Sequence, residues 1–126
     1  MFPKSRKELP RMSVDAATDM VRKMVQRETR GWGDLDNAME RLERRYGLPF
    51  WTLWHLRKGK AKTIEGSMLA RIKGAYLDMC SKQAGSLLRE IEADAAAGEG
   101  DDADLDLAEA LRALAEKIEA RKAALK

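Results

Sequence analysis

The chain has 126 residues with 24 Lys or Arg, 21 Asp or Glu, one His and one Cys, for a net charge of +3, a length that suits one compact domain with an appendage. The lone Cys80 excludes an intramolecular disulfide framework and fits a reducing compartment. No apolar run approaches the roughly 20 residues that span a bilayer, and the basic start MFPKSRKELP runs into no apolar leader segment, so a cytoplasmic protein that makes no use of a membrane is expected.

Three prolines, no β-branched runs and abundant Ala, Leu, Lys, Arg and Glu predict an all-α protein. Residues 1–12, with two of the prolines and alternating charges, read as a flexible basic arm. Ser13 is the expected N-cap of a first helix, with Asp15 near its positive end. Val14, Ala17, Val21, Met24 and Val25 recur at three and four and carry that helix to about Arg30. Gly31, Trp32 and Gly33 break it, and Trp32 is expected to be a packing anchor over the core. Asp34 or Asp36 caps a second helix whose buried side is Leu35, Ala38, Met39, Leu42 and Tyr46.

The next stretch, LERRYGLPFWTLWHLRKGKAK from Leu42 to Lys62, reads as helix, tight turn, helix and a run of cations. Leu42 and Tyr46 share a helical face, Gly47 can take the positive φ that ends a helix, and Leu48 is an apolar plug. Pro49 falls where a second helix starts, because its missing N–H costs nothing there. Leu53 and Leu56 point that helix inward and leave Phe50, Trp51, Trp54, His55 and Arg57 outward.

Leu42 to Leu56 resembles the helix-turn-helix of bacterial and phage DNA-binding regulators, with Gly47 as turn glycine, Leu48 after it, and Thr52-Leu53 as the threonine-aliphatic pair of the recognition helix. The continuation from Arg57 to Ile72 is similar to the segment that leads into a fourth helix in the λ-repressor-like (Cro/C1) family. The chain departs from that pattern at Glu43, where a small residue is usual, and in carrying tryptophans on the recognition helix. The resemblance implies that helix 49–58 enters a DNA major groove.

Thr63 reads as the cap of a fourth helix with an apolar stripe of Ile64, Met68, Ile72, Tyr76 and Met79. The pattern continues through Leu87, Leu88, Ile91 and Ala95, with Gly85 as a candidate kink. A turn over 98–102 precedes a last helix starting near Asp104. Its Leu107, Leu111, Leu114, Ile118 and Leu125 follow a heptad spacing, and the first four are expected to join two copies of the chain. The expected organisation is therefore an arm over 1–12, a four-helix bundle over 13–82 containing the helix-turn-helix, and a helical hairpin or coiled coil over 83–126.

Residues 1–82 hold 18 Lys or Arg against 10 Asp or Glu, a balance of +8, whereas residues 83–126 hold 6 against 11, a balance of −5. A basic body with an acidic appendage fits a polyanionic partner for the first part. Enzyme chemistry has little to work with: one His and one Cys, no P-loop, no G-x-G-x-x-G and no nucleophile elbow. Asp102, Asp104 and Asp106 have calcium-loop spacing, but Leu107 and Ala113 stand where glycine and glutamate are required. The expectation is a transcriptional regulator that needs no cofactor or metal, binds double-stranded DNA and forms a homodimer. Its contacts would be Arg57, Lys58, Lys60 and Lys62 on phosphates and Phe50, Trp51, Thr52 and His55 on the groove face. The alternatives are a phage small-terminase-like packaging component and a protein-binding adaptor on the same fold.

Overall fold

The computed structural model describes residues 8–9, 11–98 and 102–125, and it is all-helical apart from one short pairing. Its helices are α1 (Arg11–Glu28), α2 (Leu35–Tyr46), α3 (Phe50–Lys58), α4 (Gly66–Ala96) and α5 (Asp102–Ala124). Two dipeptides, β1 (Glu8–Leu9) and β2 (Ile64–Glu65), pair antiparallel with Leu9 opposite Ile64. The chain divides into two compact units, Met1–Tyr76 and Leu77–Lys126, the boundary falling inside α4.

The core of the first unit follows from the apolar spacing. Val14, Ala17, Val21, Met24 and Val25 form the buried stripe of α1, which packs on both α2 and α3. Against it come Ala38, Met39 and Leu42 from α2, Leu48 from the turn, and Leu53 and Leu56 from α3, all essentially excluded from solvent. Each large aliphatic or methionine side chain buried this way stabilises the unit by roughly 1.5–3 kcal/mol.

Several local expectations are corrected. α1 starts at Arg11 rather than after Ser13, and an Arg11–Asp15 ion pair of 3.7 Å spans its first turn. The expected arm over 1–12 therefore contains helix and strand at its end, while residues 1–7 and Pro10 lie outside the described residues. Thr63 does not cap α4, because Ile64 and Glu65 are taken up by the pairing with β1 and the helix begins at Gly66. α4 runs through Gly85 without a break. Trp32 is not a core anchor: it is fully exposed, held out by Gly31 and Gly33 at φ 146° and 76°.

The α1–α2 connection is fixed by charge instead. Asp34 occupies the N-cap position of α2 but makes no side-chain cap bond there. Its carboxylate accepts the Arg30 backbone N–H at 2.8 Å and a guanidinium bond from Arg41 at 2.7 Å. Arg41 also donates to the Glu28 carbonyl at 2.9 Å, and Arg45 pairs with the Glu28 carboxylate at 2.8 Å. Two helices and their loop are thereby tied by one guanidinium fork.

In the second unit, α5 returns alongside residues 77–96 of α4. Lys122 pairs with Asp78 at 2.8 Å, the Ser81 hydroxyl donates to Glu119 at 2.6 Å, and Arg112 pairs with Glu92 at 3.2 Å, an order that requires antiparallel helices. Ser81 and Lys122 hold the Glu119 carboxyl below its ordinary range, and Asp78 raises Lys122. The least exposed positions of α5 are 104, 108, 111, 115, 118 and 122, alternating four and three. Leu111 and Ile118 thus lie on the face that carries Ala108 and Lys122, whereas Leu107 and Leu114 are 54% and 49% exposed. α5 begins at Asp102, two residues before the expected start.

The Arg41 guanidinium and the Arg30 N–H lower the Asp34 carboxyl from 3.8 to about 2. Because the folded value is the lower one, the contribution of this contact to stability is complete above pH 3.8 and lost as the pH falls through about 2. Carboxyl-carbon NMR should place the Asp34 midpoint near 2 and return it most of the way to the ordinary range in Arg41→Ala. A midpoint that ignores the substitution would remove Arg41 as the cause.

Candidate nucleic-acid interface

α3 is positioned from both ends. Gly47, at φ 68°, ends α2 by donating its N–H to the Glu43 carbonyl at 2.8 Å, a left-handed cap that reverses the chain. Arg71 donates to the Gly47 carbonyl. Leu48 is then fully buried, and Pro49, at φ −59°, leads into Phe50. The Glu43 carboxylate accepts the free Phe50 N–H at 3.1 Å, so the acid that stands where the resembling family has a small residue lies exposed and closes the start of α3.

The other end of α3 closes on Gly59, at φ 74°. Gly59 N–H donates to the Leu56 carbonyl at 3.1 Å and Lys60 N–H to the His55 carbonyl at 2.9 Å, the paired bonds of a Schellman cap. Arg22 of α1 adds a bond from Nε to the Arg57 carbonyl at 3.1 Å. Arg57 and Lys58 lie in the last turn, where cations complement the negative end of the helix.

With Leu53 and Leu56 buried, the outer surface of α3 is aromatic and basic. Trp51 is 63% exposed and His55 is exposed, while Phe50, Thr52, Trp54 and Arg57 are half-buried. Their rings form a chain: Phe50 to Trp51 at 5.2 Å and Trp51 to Trp54 at 5.8 Å, both edge-on, with Trp54 to His55 at 5.2 Å. Lys60 and Lys58 place their ammonium groups 5.0 and 5.8 Å from the Trp54 ring centre, which is cation–π range. Thr52 and His55 together border a hollow of about 300 Å³ on the flank that faces Ala61 and Ile64. Among the described residues, none of Arg57, Lys58, Lys60 and Lys62 has a carboxylate within ion-pair distance.

The structure thus brings Phe50, Trp51, Thr52, His55, Arg57 and Lys58 together on α3 and places Lys60 and Lys62 in the segment after it. Arg22, which joins them from α1, is not marked by any local pattern, since only the packing of α1 on α3 carries it there. The four residues of the expected subunit seam lie in the other unit. No group of three or more His, Cys, Asp or Glu able to hold a metal exists among the described residues, and none of the described helices is long and apolar enough to cross a membrane.

Gly59 is the position where a side chain is least compatible with this end of α3. Gly59→Ala forces an L-residue to φ 74° and should cost about 1–2 kcal/mol in urea unfolding, with loss of protection at the Lys60 amide in hydrogen exchange. No family model, no curated protein and no solved structure matches this chain.

Proposed function

We propose that the first unit is a double-stranded DNA-binding module of the helix-turn-helix kind, with α2 and α3 as its two helices, and that the protein is a transcriptional regulator. The observation that carries this reading is the coincidence of two features on α3. A short helix is held rigidly at both ends with its outer face in solvent, and the cations that follow it lack acidic partners among the described residues. Uncompensated cations beside an exposed helix attract a polyanion by counterion release, and an exposed helix of this width fits the major groove.

In this reading Arg57, Lys58, Lys60 and Lys62 hold phosphates and set the docking. His55 and Thr52 supply polar contacts in the groove, and Trp51 contributes its ring to thymine methyls or deoxyribose. Phe50 and Trp54 back that ring from the flank. The exposed ring chain also favours a second reading, in which the same face holds a protein partner. Salt separates them, because phosphate contacts weaken steeply with ionic strength and an aromatic protein contact does not.

A regulator of this kind gains from two half-site contacts, and we place the contact between copies on Leu107 and Leu114. They are the exposed half of the expected seam, whereas Leu111 and Ile118 are half-buried on the side that carries Ala108.

Replacing Lys58, Lys60 and Lys62 with alanine should weaken binding to all duplexes alike, and the slope of log K against log salt should flatten by about 0.9 per lost phosphate contact. An unchanged slope in a folded variant would assign the surface elsewhere. Leu107→Glu with Leu114→Glu should leave the helical circular dichroism intact, since both side chains are exposed, while sedimentation shows a dimer falling to monomers. Equal masses for wild type and variant would exclude these leucines as the interface.

A further inference from the structure

We propose that the first unit carries a second site, beside the exposed face of α3 and sharing Arg57 with it, that takes a nucleotide: its base against Trp32 and its phosphate against Arg22 and Arg57. The site is a cleft of about 760 Å³ between the second half of α1, the loop after it and the end of α3, a size suited to a small organic ligand and larger than a bare inorganic anion needs. Trp32 is fully exposed, at 106% of its reference area. Its indole lines the cleft with its faces in solvent, so a flat ring can approach it.

The polar groups are arranged for a phosphate and a base. Arg22 is fixed by the bond from its Nε to the Arg57 carbonyl at 3.1 Å, which leaves its terminal nitrogens as donors. Neither Arg22 nor Arg57 has a carboxylate partner among the described residues. Both arginines line the cleft, and two guanidiniums match an anion with several oxygens better than a single carboxylate. Val25, 1% exposed, belongs to the apolar wall, and Gln26 beside it offers both amide donors and an acceptor to a base edge. The Thr29 hydroxyl donates to the Val25 carbonyl at 2.6 Å and keeps its oxygen as an acceptor. An exposed indole on a cleft that is also lined by cations is the kind of sequence-tolerant platform on which bases stack. The same chemistry is offered by a free mononucleotide and by an unpaired nucleotide within a strand.

The test uses the full chain with three probes: adenosine monophosphate, a short single-stranded oligodeoxyadenylate, and a duplex. Binding of the mononucleotide or the single strand should fall about tenfold or more in Trp32→Ala, and likewise in Arg22→Ala, with circular dichroism showing both variants folded. Duplex binding should change less than twofold in Trp32→Ala. Mononucleotide binding alone identifies a free nucleotide as the ligand, and strand binding alone identifies an unpaired one; both support the site. Failure of both probes to bind the wild-type chain overturns it, as does binding that neither substitution alters, or an equal loss of duplex and single-strand affinity in Trp32→Ala. Loss of duplex binding to the wild-type chain would instead count against the role of α3 and leave this site standing.

Discussion

The burial of Leu48 is the contact on which the presentation of α3 depends. α3 has nine residues, too few to be helical on its own in water, because the cost of its first turn is not recovered over so short a length. It forms because Leu48 seats in the core with Leu53 and Leu56. Gly47 makes that possible by taking the left-handed turn just before Leu48, and Pro49 makes it productive by starting the next helix at once. Without the plug, Glu43 would lose the Phe50 N–H it accepts, and the aromatic and basic side chains of α3 would share no common face.

Much of this was legible in the residues. The stripe of α1, the middle of the stripe of α2 and the inward Leu53 and Leu56 follow from local spacing, and Gly47 takes the expected positive φ, whereas Leu35 and Tyr46 at the ends of the α2 stripe are only half-buried. What escaped involves partners distant in sequence. The start of α4 is set by β1, more than fifty residues upstream by register, which no local periodicity records. Asp34 looks like a helix cap, but the guanidinium of Arg41, two turns along α2, draws its carboxylate away. Trp32 misleads for another reason: its size argues for burial, yet two flanking glycines in unusual conformations turn the loop outward.

The inner face of α5 teaches a related lesson. Spacing among leucines selects 107, 111, 114 and 118, whereas the observed face replaces Leu107 and Leu114 by Ala108 and Ala115. Ala108 is 5% exposed and Ala84 of α4 is 6% exposed. The cationic cluster after α3 was legible because its members are neighbours in sequence; the cleft that includes Arg22, Trp32 and Arg57 was not, because its walls come from separate elements.

The pairing of Leu9 with Ile64 also bears on how the first unit folds. α1, α2 and α3 are consecutive in the chain and all contact one another, so the bundle assembles through encounters of modest sequence separation, which favours fast folding. The β1–β2 pairing closes all three helices into a single loop. Closure entropy grows only with the logarithm of loop length, and much of it is already spent once the bundle has brought the two strands close. The strand pair is therefore a late latch: it adds little to the folding rate and acts mainly on unfolding, slowing the departure of α1 from a bundle that is already formed.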